Sequence, residues 1–145
     1  MAPAFLGCLL ALSAGADPLD KAALKELKAL EGDWVVVRLE AGGKKHKPGA
    51  DEKWELTFQG TKWSSSATGE QEEVVALNTS SSPRLIDLKS TRRGRGAIVR
   101  EGIYKLDGDT LTIALYQGTE KKRPTSFDTP TEAGTVVFVL RRAKP

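Results

Sequence analysis

A chain of 145 residues fits one domain and leaves little room for two. Hydrophobic residues at 39% and charged residues at 28% exclude a disordered tail. With 22 Lys+Arg against 19 Asp+Glu the net charge is only +3, so the placement of charge carries more information than its sum.

Residues 1–16, MAPAFLGCLLALSAGA, carry no charged side chain and hold an apolar run from Phe5 to Leu12. Ala14-Gly15-Ala16 before Asp17 matches a signal-peptidase site, so a cleaved leader over 1–16 and a periplasmic or extracellular destination are expected. No Lys or Arg precedes the apolar run, which departs from the usual leader. The run is far shorter than the roughly 20 apolar residues that span a bilayer, so no transmembrane segment is expected. Cys8 as a lipid-anchored cysteine has almost no signal ahead of it. Cleavage after Ala16 removes the only cysteine, and with it disulfides and thiol catalysis.

Residues 17–31 read as the one good helix, with Leu19, Ala23, Leu27 and Leu30 on a narrow stripe, Asp17 or Asp20 as cap, and Gly32 as stop. So narrow a stripe suits a plug better than a bundle. After Gly32 the period changes to two, and eight strand-like runs follow: 34–40, 53–59, 61–67, 71–78, 84–89, 98–106, 109–116 and 135–142. Short connections without crossover helices predict an all-β, eight-stranded up-and-down antiparallel barrel over 17–145, carrying a short N-terminal helix. A sandwich is the rival, and it needs longer connections. Eight strands enclose either a filled core or room for one small ligand. In the sixth run Ile98, Arg100 and Tyr104 share one face, while Val99, Glu101 and Ile103 share the other. Either a charge is buried there or a bulge near Gly102 switches the parity.

Asp107-Gly108-Asp109 invites a metal or carboxylate-pair reading. Strand residues follow at Thr110–Ile113 where a calcium loop would need more oxygens, so the segment reads as a hairpin turn. An even-length loop keeps Tyr104, Leu106, Leu111, Ile113 and Leu115 on one face, pairing Leu106 with either Asp109 or Leu111. His46 stands alone in a charged loop, without a zinc partner or a nucleophile elbow. No catalytic residue, metal site or cofactor is expected. Trp34 and Trp54 read as core, and Trp63 as lining a cavity or a sheet face.

The basic residues cluster. Lys44, Lys45 and Lys47 fall in loop 1–2; Arg92, Arg93 and Arg95 in loop 5–6; Lys121, Lys122 and Arg123 in loop 7–8. In an up-and-down barrel these loops share one mouth, countered mainly by Glu70, Glu72 and Glu73 at loop 3–4. Such a rim can attract an anionic surface or polymer, or simply keep the barrel ends soluble. No aromatics interleave it, which argues against single-stranded nucleic acid.

"LEGDW" (30–34) resembles the Gly-x-Trp opening of the lipocalin and wider calycin barrels. There the Trp packs at the closed end beneath an Arg of the last strand, a part that falls to Arg142 or Arg141 here. "LTFQGTKW" (56–63), "SPRLIDL" (82–88), "GIYKLDGDTL" (102–111), "RPTSF" (123–127) and "VLRR" (139–142) extend the match. Together they resemble a lipocalin-like domain family expanded in planctomycete bacteria. The resemblance implies Gly32, Trp34, Gly102, Tyr104, Asp107, Gly108, Asp109, Arg123, Pro124 and Arg142 as structural signature positions. It thereby removes Arg123 from the mouth. Ala114 stands where a cysteine would be expected after "DTLTI", so no thiol role carries over. By analogy the chain is expected to be an exported monomeric binding protein for a small hydrophobic or amphiphilic ligand. The alternative is a filled barrel that binds a protein or anionic envelope polymer through its basic loops.

Overall fold

The computed structural model describes residues 19–49, 51–66, 69–91, 97–116, 122–128 and 134–143. The expected leader, residues 1–16, together with Arg92, Arg93, Arg95 and Lys121, lies outside them. Among the described residues one helix, α1 (Lys21–Leu30), precedes nine strands. These are β1 (Gly32–Ala41), β2 (Lys44–His46), β3 (Glu55–Gln59), β4 (Lys62–Ser65) and β5 (Gln71–Asn78), then β6 (Arg84–Thr91), β7 (Ala97–Asp107), β8 (Thr110–Tyr116) and β9 (Thr135–Arg142). Eight of them, β1 and β3 to β9, bond in chain order, each antiparallel to the next, and β9 returns to β1. This is the closed up-and-down barrel expected from the spacing of the runs.

The ninth strand is a correction. Lys44, Lys45 and His46 were read as loop, yet they fold back on Leu39–Ala41 as β2. One edge of β1 lies along β9, and the other is shared, with β3 against Gly32–Val35 and β2 against Leu39–Ala41. All three β2 residues are exposed, so no apolar alternation marks the strand in sequence.

The helix begins at Asp20, whose Oδ1 accepts from the Ala23 N–H at 2.8 Å, satisfying one of the first-turn donors. It starts later than the run 17–31 suggested, and Leu19 packs on the core from just ahead of it. Ala23, Leu27 and Leu30 are buried in the same cluster as Trp34, Leu111 and Leu140, so α1 plugs one end of the barrel. Glu26 ties it down: its Oε1 takes Arg84 Nη1 at 2.5 Å and the Tyr104 hydroxyl at 3.1 Å. Burial first, then the Glu26 charge, hold the Tyr104 phenol well above its usual range.

The closing residues of the barrel meet at that end. Trp34 pairs with Arg142 across the β1–β9 seam, and the Arg142 guanidinium lies 4.3 Å from the Trp34 ring centre. Arg142 Nη1 donates to the Glu31 carbonyl at 3.0 Å and Nη2 to the Ala29 carbonyl at 2.9 Å, while the Trp34 indole N–H donates to the Leu30 carbonyl at 2.9 Å. Carbonyls left without partners at the helix C-terminus are thus satisfied by the barrel seam itself. Of the two arginines the resemblance offered, Arg142 takes the part.

The Asp107–Asp109 turn belongs to the same end. Leu106 pairs with Leu111 and Asp107 with Thr110, leaving Gly108 and Asp109 as a two-residue turn. Gly108 takes the positive φ (60°) of the first central position, which a side chain would strain. The Asp109 carbonyl accepts the Arg142 N–H at 2.9 Å, and its carboxylate lies 3.5 Å from Arg142 Nε. The turn therefore acts on the seam.

The parity question in β7 resolves toward an inward, partly buried charge. β7 runs against β6 from Arg84↔Tyr104 to Thr91↔Ala97 without a register shift. Arg100, Gly102 and Tyr104 therefore share the inner face. The bulges lie elsewhere, between Val36 and Arg38 in β1 and between Val74 and Ala76 in β5. Gly102 marks a close approach: a Cβ there would meet the Ala114 carbonyl oxygen and Leu115 Cδ2, each at 2.6 Å.

Two outcomes are expected. Arg142→Ala should cost about 2–4 kcal/mol in urea unfolding, and Arg142→Lys should recover little, because an ammonium cannot stack and bridge two carbonyls together. Gly102→Ala should cost about 1–3 kcal/mol, since the backbone of β8 must move to admit the methyl group. An unchanged midpoint in either variant counts against the packing described.

Candidate functional site

The two ends of the barrel differ. Near α1 the interior is filled by Trp34, Tyr104, Leu111, Ile113 and Leu140, all essentially inaccessible to solvent. At the other end a cavity of about 200 Å³ opens between the start of β3, the end of β4, the start of β5 and β7. Its apolar walls are Trp54, Leu56, Trp63 and Phe138. Trp54 meets Phe138 edge-on with ring centres 5.7 Å apart, and Trp63 packs on Phe58 at 5.1 Å. Trp54 lies just before β3, where its indole N–H donates to Ser65 Oγ at 3.0 Å and its carbonyl takes the Val36 N–H at 2.9 Å. Both bonds fix the ring at the wall.

The polar part of the lining is Ser65, Glu70, Glu72 and Arg100. Glu72 and Arg100 form an ion pair inside the barrel, with side chains 10% and 22% exposed. One strand, β6, separates them, and they meet across its Ser90, which pairs with Glu72, and Leu88, which pairs with Arg100. Burial pushes the Glu72 carboxyl above its ordinary range; the Arg100 charge and hydrogen bond pull it back, and the Glu70 charge raises it further. The second oxygen, Oε2, is buried without a hydrogen-bond partner among the described residues.

Of the lining residues, Trp63 alone was read as lining a cavity or a sheet face. Trp54, read as core, packs on the core cluster and also forms part of the cavity wall, and the polar residues were assigned to no site. Glu72 was grouped with Glu70 and Glu73 as a counter-charge to the rim. It lies within β5, directly opposite Trp63 of β4, and lines the interior. The signal that finds it is parity: Glu72 and Val74 share a face before the β5 bulge, as Arg100 and Tyr104 do in β7.

The expected basic rim is placed in part. Lys44 and Lys45 sit on exposed β2, with Lys45 Nζ 3.6 Å from Glu40, and Lys47 follows it, exposed. Lys122 Nζ lies 5.9 Å from the Tyr116 ring centre. Arg92, Arg93, Arg95 and Lys121 lie outside the described residues. His46 lies 3.7 Å from Glu52 in an exposed pair, and among the described residues no group of three or more His, Cys, Asp or Glu is placed to hold a metal ion.

Arg123 is on the outer wall of the barrel. Its Nη1 donates to the Gly102 carbonyl at 2.8 Å, and Nη2 reaches Glu101 at 3.1 Å and Asp87 at 2.8 Å. The Asp87 contact is close but lacks hydrogen-bond alignment, leaving Asp87 Oδ1 buried without a hydrogen bond. Pro124 follows in the same strap, and Phe127 covers a second small cluster of Ile103, Ala114 and Val137. Ala114, in the cysteine position of the resemblance, is fully buried there. Burial also raises the Asp87 carboxyl, with Arg123 lowering it and Glu101 raising it again.

No family model, curated protein or solved structure matches the chain in comparison. Geometry alone therefore defines the class: a closed eight-stranded antiparallel barrel, consistent with a calycin-like fold, with a blind end under α1 and an open end that holds a small cavity.

Both raised carboxyls give a signed pH effect. A carboxyl that is weaker as an acid when folded contributes most below its unfolded value, and that contribution is lost as pH rises through its folded value. The stability of the native chain relative to a Glu72→Gln, Asp87→Asn double variant should therefore increase as pH falls from neutral toward the ordinary carboxylate range of about 4. Urea midpoints across that range measure it. A relative stability that falls on acidification counts against the burial of these two groups.

Proposed function

We propose that the protein is a small-molecule binding barrel, exported to the periplasm or exterior, which holds one compact amphiphilic ligand in its open end. The observation that carries this is the cavity itself: aromatic walls around about 200 Å³, with an ion pair at the same end to meet a polar group. Size narrows the ligand. An apolar cavity of about 150 Å³ accommodates benzene, and drug-sized pockets begin at about 300 Å³. A one- or two-ring compound suits the space, whereas a long acyl chain exceeds it. The hydrophobic interior of a lipid-carrying barrel is taken up here by α1 and the side chains beneath it. The alternative, a partner or anionic polymer bound through basic loops, draws on the exposed Lys44, Lys45 and Lys47, on Lys122, and on Arg92, Arg93, Arg95 and Lys121, of which the last four lie outside the described residues. Export rests on the pattern of residues 1–16, and N-terminal sequencing of the protein from its source should begin at Asp17.

Calorimetric titration tests the cavity. One- and two-ring aromatic compounds such as benzyl alcohol and indole should bind one per chain, and hexadecanoate should not. Leu56→Trp, which fills the space from its wall, should abolish that binding. Failure of every one- and two-ring compound, or stoichiometric uptake of hexadecanoate, would contradict the proposal.

A further inference from the structure

We infer that the ligand of the barrel mouth is a small organic cation, an ammonium group carried on an apolar body. The inference rests on the binding role proposed for the cavity and goes beyond it by fixing the sign of the ligand's charge.

Three features of the lining point the same way. The first is the aromatic wall: Trp54, Trp63 and Phe138 surround one space, and the π faces of such rings attract cations, most strongly where water is excluded. The second is the charge beside Glu72: Glu70 lines the same space, near enough for its charge to be felt at Glu72. The third is the orphan oxygen. The Glu72 side chain is 10% exposed; Arg100 occupies its Oε1, while its Oε2 has no hydrogen-bond partner among the described residues. A buried carboxylate oxygen left over in this way needs a donor, and a charged N–H donor makes the strongest hydrogen bond available to it.

An anionic ligand fits less well. It would compete with Glu72 for Arg100, leave a second carboxylate buried without a partner, and lie against the negative faces of the rings. A neutral ligand offers the orphan oxygen at best an uncharged O–H or N–H donor, which makes the weaker hydrogen bond. A cation answers all three features at once, with its body against Trp54 and Phe138 and its N–H groups at Glu72.

Three probes of similar size separate the cases: 2-phenylethylamine, 2-phenylethanol and 3-phenylpropionate, titrated calorimetrically into the full chain near neutral pH. The amine should bind at least about tenfold tighter than the alcohol, and the propionate weakest. Glu72→Gln should weaken the amine by about tenfold or more and the alcohol by a clearly smaller factor. Retained binding of the alcohol also shows that the cavity has survived the substitution. Should Glu72→Gln fail to fold, Trp54→Leu serves instead, because it keeps an apolar wall but removes a π face. It should weaken the amine more than the alcohol. If the alcohol or propionate equals or exceeds the amine, the cation inference falls while the cavity stands. If none of the three binds, the cavity falls and the inference falls with it.

Discussion

The contact between Arg142 and Trp34 is the constraint on which the rest of the barrel depends. These two residues are paired across the seam that joins the last strand to the first, so the interaction closes the sheet on itself. The same guanidinium caps α1 through the Glu31 and Ala29 carbonyls and takes the Asp109 turn as its counter-charge. One side chain thereby couples sheet closure, helix docking and a hairpin turn. Such coupling favours cooperative assembly, because each feature is satisfied only when the others are in place. It also leaves the barrel with one blind end, and whatever the protein binds must enter from the other.

The interior divides accordingly. Under the helix it is a close-packed apolar core of ordinary character. Toward the mouth the same inward faces carry a buried ion pair, an orphaned carboxylate oxygen and three rings around open space. A buried pair is weak as a stability device, because desolvation consumes most of the Coulombic gain. It is the polar part of the lining on which the proposed ligand site rests. The outer strap through Arg123 shows the contrasting use, where an ion cluster fastens a loop against Gly102 and the outer faces of β6 and β7.

Much of this fold was legible in the sequence because it rests on local signals. The period of two in runs such as Trp54–Gln59 and Thr135–Arg142 places the strands, and Asp107-Gly108-Asp109 sets a register that keeps Tyr104 and Leu111 on one face. The cavity was less legible. Glu72 looks like surface charge beside Glu70 and Glu73, and only the inward parity of β5 and β7 brings it to Arg100. β2 was missed because Lys44-Lys45-His46 has no apolar face at all, and its pairing comes only from the spare edge of β1. Arg123 was legible as structural only through resemblance, since nothing in its local sequence points to the Gly102 carbonyl.

The three tryptophans sit where they can report on the whole account. Trp34 is sealed at the blind end with its indole bonded to Leu30, while Trp54 and Trp63 line the open one. The most direct measurement is a nitrogen–proton NMR spectrum of the three indole N–H groups during titration with 2-phenylethylamine. The Trp54 and Trp63 resonances should move together and saturate, and Trp34 should stay fixed. Movement of Trp34 in step with the others, or no saturable movement of Trp54 and Trp63, would contradict a barrel closed at one end and selective at the other.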